Sequence, residues 1–208
     1  MLKEYLEKNY GYNEPIFINE IRLDGLNDNA LRQYFKRMLK SGDLARFDTG
    51  IYYLPKASRL LKKSYLDPMK VIIRKYVQST TETYGYFAGA TFANQIGLTT
   101  QMAATLEIVT SKESTKGRTV TVGSQAVRLK RPATAITSEN AGLLQFLDAV
   151  SQAEKYSELS DSDTGILLKN YAKQQNYSKE LLSGVLPGIT GSAAKKLIEW
   201  GIIYEFTS

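Results

Sequence analysis

Four side chains, Gln33, Lys36, Arg37 and Lys40, recur at spacings that place them in one sector of a helix turning about 100° per residue, with Arg32 at its edge. Lysine and arginine in such a sector can neutralise phosphates. Arg32 and Gln33, nearer the start of the helix, suit hydrogen bonding to base edges. The same pattern also fits an ordinary solvated helix face. What favours nucleic acid is the sequence that follows: Ser41-Gly42-Asp43 stops the helix, and Leu44-Ala45-Arg46-Phe47, the turn Asp48-Thr49-Gly50 and Ile51-Tyr52-Tyr53-Leu54-Pro55 form a hairpin pattern. A basic-faced helix leading into a tight hairpin is the layout of a winged helix-turn-helix, in which the helix enters the major groove and the hairpin leans on the phosphate backbone.

Arg46 and Thr49 fall on that hairpin. Arg46 either meets a phosphate or pairs with Asp43 or Asp48. Arg22, at the end of an expected short helix, either contacts DNA backbone or favours the helix C-terminal dipole. Lys56, Arg59, Lys62 and Lys63 either extend the footprint or are a solvated linker. A second basic patch, Arg128, Lys130 and Arg131 with Lys112, Lys116 and Arg118 upstream, has Arg128 and Lys130 on one strand face. That face suits nucleic acid or an acidic protein surface, or has no partner at all.

Other chemistry is constrained by two absences. The chain has no cysteine and no histidine. Disulfides, thiolate ligands, Ser-His-Asp triads and nearly all zinc sites are therefore excluded. An enzyme here would depend on carboxylates, lysine, tyrosine or a magnesium site. Asp161 and Asp163 either hold a metal or cap a helix, and the second is the simpler account. Gly188-Ile189-Thr190-Gly191 has the spacing of a KH-domain GxxG loop, but a turn with Thr190 as N-cap explains it fully. No catalytic residue, metal site or cofactor follows from these patterns.

The elements that must position the basic sector are readable around it. Leu2, Tyr5, Leu6 and Tyr10 mark a first helix ended by Gly11. Asn19 is a candidate N-cap for a short second helix, Glu20 to Asp24, and Asn27 or Asp28 caps the third, Asn29 to Lys40. Leu31, Tyr34, Phe35, Met38 and Leu39 form its apolar face. Pro68 to about Gln78 is a further helix. Tyr84 to Leu98 is rich in small residues and reads as a close-packed helix ended by Gly97. Three strand-like runs, 106–110, 118–122 and 126–130, predict a small three-stranded antiparallel sheet. Helices follow at 143–150, 165–174, 177–186 and 192–200.

The chain has 208 residues with 43% apolar content, enough for one large or two small domains. Net charge is +6, but it is unevenly spread. Residues 22–75 carry 13 Lys/Arg against 5 Asp/Glu, 110–131 carry 6 against 1, and 132–208 carry 6 against 9. Different parts therefore suit different partners. No apolar run approaches a membrane span and the start has no signal-peptide core, so a cytoplasmic protein with no membrane partner is expected. The expected fold is α+β: a winged helix-turn-helix at 1–55, a basic connector and helix at 56–80, and an α+β domain at 81–208 with a small antiparallel sheet and several helices.

Two stretches resemble a known family. Residues 30–53, ALRQYFKRMLKSGDLARFDTGIYY, look like the N-terminal winged helix of AbiEi-type antitoxins of abortive-infection (type IV) toxin–antitoxin systems. Residues 85–101, GYFAGATFANQIGLTTQ, are similar to the glycine-and-aromatic segment that opens the second domain in that family. The resemblance implies a transcriptional autorepressor that binds double-stranded operator repeats upstream of its own gene. It also implies an antitoxin that counteracts a nucleotidyltransferase-like toxin, AbiEii, without a required stable complex. It assigns DNA binding to the first domain and antitoxin activity to the second. Two other classes remain open from the residues themselves. One is a winged helix serving only as a protein-interaction module. The other is a carboxylate-based, magnesium-dependent nuclease or phosphotransferase, which requires several acids to converge in one cleft.

Overall fold

The computed structural model describes residues 2–57 and 64–207. The chain divides into two compact units, Met1–Arg74 and Lys75–Ser208. The border between them falls inside the segment expected to be a connector.

In the first unit, α1 (Leu2–Asn9) buries Leu6, and Gly11 ends it at φ +78°. A two-residue strand, β1 (Ile16–Phe17), and a 3-10 turn (Ile18–Glu20) follow. Next come α2 (Asp28–Ser41), β2 (Ala45–Asp48), β3 (Ile51–Tyr53) and the short α3 (Pro68–Ile72), which runs on as a π-helical turn, Ile73–Val77, across the border between the units. The three strands form an antiparallel sheet in the order β1-β3-β2. Leu6, Ile16, Ile21, Leu31, Phe35 and Leu44 make the core of this unit.

The expected second helix, Glu20 to Asp24, does not form. Glu20-Ile21-Arg22-Leu23-Asp24 alternates polar and apolar with a period of two, which suits extended chain and not one helical turn. The backbone turns extended at Ile21 (ψ 125°), which is buried in the core. Upstream, Ile16 and Phe17 pair with Tyr52 and Ile51, and the Ile18 N–H donates to the Gly50 carbonyl at 3.1 Å. A strand and a 3-10 turn thus lead into this segment, and the backbone leaves the turn extended at Ile21.

In the second unit, β4 (Gly85–Ala88), α4 (Gly89–Gln95), β5 (Thr105–Thr110), β6 (Arg118–Val122) and β7 (Gln125–Lys130) precede four helices. These are α5 (Ala141–Tyr156), α6 (Asp161–Gln175), α7 (Lys179–Val185) and α8 (Gly191–Glu199). The fold is α+β, but its larger sheet has four strands in the order β4-β5-β7-β6 and is mixed. β7 inserts between β5 and β6, parallel to β5 (Leu106↔Val127) and antiparallel to β6. The expected three-stranded antiparallel sheet is corrected on both counts. The fourth strand comes from the stretch expected to be wholly helical. Tyr86 and Phe87 suit an edge strand against β5. Gly89, at φ +57°, then switches the chain from strand to helix. A Cβ there would lie 2.5 Å from Glu107 Oε1. The core of this unit centres on α5, whose Leu143, Phe146, Leu147, Val150 and Ala153 are buried against residues including Leu168 of α6 and Leu197 of α8.

Candidate nucleic-acid interface

The helix that carries the basic sector is well made. The Asn27 side chain accepts from the Ala30 N–H at 2.8 Å, closing its start. Gly42 closes its end in the left-handed conformation at φ 78°. Asp28 in the first turn and Lys40 in the last both complement the helix dipole. Leu31 and Phe35, one turn apart, are buried, each worth about 1.5–3 kcal/mol. Tyr34 lies at the edge of the apolar stripe and is 39% exposed, with the Arg37 guanidinium 5.6 Å from its ring centre.

The opposite face is solvent. Arg32, Gln33, Lys36, Arg37 and Lys40 are all exposed. Among the described residues, Arg32, Gln33, Lys36 and Lys40 make no side-chain hydrogen bond or ion pair. Among the described residues no carboxylate pairs with the sector, so it presents positive charge to its surroundings. Asn29, four residues before Gln33, is exposed in the same sector and was not among the expected site residues. Its spacing was the available signal.

The hairpin removes one of the two readings of Arg46, the pairing with an aspartate. Its guanidinium donates to Thr49 Oγ1 at 3.0 Å and to the Asp48 carbonyl at 3.3 Å. It pairs with neither the Asp43 nor the Asp48 carboxylate. Asp43 is taken by Lys3 at 2.6 Å and by the Ser41 hydroxyl at 2.6 Å, contacts that hold its carboxyl below the usual range. The Asp48 carboxylate accepts from the Thr49 N–H at 2.6 Å. A bulge between Arg46 and Asp48 shapes the turn, and Gly50 takes φ +75°. A guanidinium has five N–H donors, so Arg46 keeps some of them for an outside acceptor while its exposed head is fixed at the turn.

Arg22 ends no helix. Its guanidinium donates to the carbonyls of Asn19 (2.8 Å) and Ile21 (2.9 Å), bracing the extended segment that replaces the expected one. Lys56 is exposed beside the Tyr12 ring, while Arg59, Lys62 and Lys63 lie outside the described residues.

The second basic patch is not a field of free charges. Arg128 and Arg131 are exposed, but Lys130 pairs with Glu107 at 2.5 Å. Lys112 sits 4.5 Å from the Tyr84 ring centre. Arg118 donates to Glu113 at 2.7 Å. The hydroxyl and backbone N–H of Thr115, with Arg118, hold the Glu113 carboxyl at about 2. Thr190 accepts from the Ala193 N–H at 3.1 Å as the N-cap of α8, and Ser160 caps α6 by accepting from the Asp163 N–H at 3.1 Å. Asp161 accepts from the Trp200 indole at 3.3 Å. Among the described residues no three acids converge to hold a metal ion, the condition a carboxylate-based nuclease would need. No helix among them is long and apolar enough to cross a membrane.

No protein-family model matches the chain, and no curated protein matches it.

Proposed function

We propose that the chain is a cytoplasmic, non-enzymatic DNA-binding repressor whose first unit works as a winged helix-turn-helix. In this account α2 is the recognition helix and the β2–β3 hairpin is the wing. The 3-10 turn Ile18–Glu20, the irregular chain Ile21–Leu23 and the turn at Asp24-Gly25 stand where that layout has its second helix. One observation carries the reading: an uncompensated cationic face on α2 is followed within a few residues by a hairpin whose turn fixes an exposed Arg46. Lys36, Arg37 and Lys40 neutralise phosphates, Arg32 and Gln33 address base edges, and Arg46 with Thr49 meets the backbone beside the groove. Arg22 is spent on its own backbone and contributes positioning.

The resemblance of residues 30–53 and 85–101 to AbiEi-type antitoxins supports a more specific form of the proposal. The partner is then double-stranded DNA with operator repeats upstream of the chain's own gene. The second unit counters a nucleotidyltransferase-like toxin. A gel shift on DNA from upstream of the gene tests the first part, with a retarded band expected and no retardation at low salt overturning it. Co-expression tests the second: the full chain rescues cells from the toxin encoded beside it, and no rescue removes the antitoxin role while leaving DNA binding intact.

A further inference from the structure

The four-stranded sheet of the second unit has two edges, and they differ. At β4 the chain covers itself. The Tyr84 N–H donates to the Val77 carbonyl at 2.8 Å, Gln78 bridges Thr83, and the Gln145 side chain donates to the Phe87 carbonyl at 2.8 Å. A Cβ at Gly85 would collide with the Tyr76 carbonyl, so backbone already lies against that strand. β6 has no such cover. It ends the order β4-β5-β7-β6, and its Thr119 and Thr121 are exposed. Open edges are normally blunted by brevity, a bulge, proline or charge. The smaller sheet follows that rule, with the two-residue β1 at one edge and a bulge in β2 at the other. β6 instead runs five residues in unbroken register without proline, and its one charge, Arg118, is paired with Glu113 at 2.7 Å.

The register fixes which backbone groups point outward. β6 and β7 join through the two-residue turn Gly123-Ser124, so Val122 and Gln125 form a hydrogen-bonded pair. Alternation makes Val120 with Val127 and Arg118 with Leu129 hydrogen-bonded pairs too. Thr119 and Thr121 occupy the other positions, and their N–H and C=O groups face away from β7. Among the described residues none of these groups has a partner. The side chains alternate as well. Thr119 shares its face with Arg128, while Val120 shares the other face with the buried Val127 and Leu129.

We propose that β6 docks antiparallel on β6 of a second copy of this chain, about a twofold axis at Val120, so that one sheet runs through both copies. Only this register uses every outward group: Thr119 pairs with the partner's Thr121 and Thr121 with the partner's Thr119. A shift of two residues either way would bring Gly117 (φ +147°) or the turn residue Gly123 (φ +60°) into the ladder. Val120 meets its own copy and extends the apolar face of Val127 and Leu129. Arg118 falls opposite the partner's Val122, so no like charges oppose each other. The two copies of Arg128 stand three strand spacings apart, ~14 Å, beyond the Debye length of ~8 Å. A foreign acidic strand fits less well, because Arg118 is already paired and Arg128 lies two spacings, ~10 Å, from it. The edge belongs to the second unit and does not depend on the DNA-binding reading.

The contact is smaller than the ~20–30 residues a side of a standard interface, so the pairing is weak and concentration-dependent. Sedimentation equilibrium of the full chain tests it: the average mass rises from one copy toward two, with a Kd of about 1 mM or tighter. Thr119→Pro removes an outward N–H and no bond to β7, and weakens association about tenfold or more. Thr119→Val keeps the N–H and associates as the parent chain does. The chain has no cysteine, so single thiols locate the axis. Under mild oxidation Val120→Cys links two copies, because facing Cα atoms at such a position are ~4.5 Å apart, within disulfide reach. Arg128→Cys, one strand further in, does not. If Thr119→Pro fails to fold, the two thiol variants decide the matter. A chain that stays monomeric throughout overturns the proposal. So does a folded Thr119→Pro that associates like the parent, a Val120→Cys that does not cross-link, or an Arg128→Cys that cross-links as fast.

Discussion

The rings of Phe35 and Tyr52 meet edge to face, with centroids 4.9 Å apart and planes at 79°. One residue belongs to α2 and the other to β3, so this contact ties the basic helix to the hairpin. Phe35 is buried, and Tyr52 is also the register partner of Ile16 on β1. Helix, hairpin and the short edge strand therefore share one packing unit. The exposed face of α2 and the Arg46 turn are held in fixed relation by a hydrophobic contact beneath them.

Removing that contact destabilises the first unit. Phe35→Ala deletes a buried aromatic ring and leaves a cavity, at a cost of about 3–5 kcal/mol. Chemical denaturation followed by tyrosine fluorescence measures it. A loss under 1 kcal/mol, about the value of a surface change, would show that the ring is not the core link described here.

The turn makes a separate prediction. Arg46→Ala removes the guanidinium fixed by Thr49 and one proposed phosphate contact, so the log–log salt dependence of DNA affinity becomes shallower by about 0.9. Thr49→Ala keeps the charge but releases the head, and weakens binding less. A salt slope that Arg46→Ala leaves unchanged would mean the hairpin does not reach the backbone.

Sequence preference should reside in the first half of α2. Gln33→Ala or Arg32→Ala costs about 1–3 kcal/mol on the preferred site and much less on unrelated DNA, because a base contact is lost and phosphate contacts are kept. Selection from a randomised duplex pool checks this. Equal losses on all sequences would make both residues phosphate contacts.

Acid sensitivity of the second unit follows from Glu113. Its folded carboxyl sits at about 2, below the ordinary 4.5, through bonds from Thr115 and Arg118. A depressed carboxylate contributes stability that is present above the unfolded value and is lost as pH falls through the folded one. The contribution therefore fades between about pH 4.5 and about pH 2. Denaturation of Glu113→Gln over that range shows a smaller loss of stability than the parent chain. An identical pH profile would remove Glu113 from the account.

The basic helix was legible because its period extends over 14 residues, with a capping asparagine before it and a glycine after it. The two-residue strand Ile16–Phe17 was not, because what makes it a strand is a partner some 35 positions later. The same holds for Lys130: nothing near it in sequence announces Glu107, which reaches it only because β7 inserts beside β5. Tyr84 to Leu98 misled through composition. Its small residues fit a packed helix, but only the second half, from Gly89, is one. The exposed face of α2 needed no tertiary partner, which is why the candidate site was easier to read than the sheet.

The most direct measurement is a salt-dependent fluorescence-anisotropy titration of the full chain on the DNA upstream of its gene, beside the folded double variant Lys36→Ala, Lys40→Ala. The account predicts weaker binding to every sequence and a log–log slope shallower by about 1.8, two phosphate contacts at about 0.9 each. Unchanged affinity and slope in the folded variant would contradict the assignment of α2 as the DNA-binding helix.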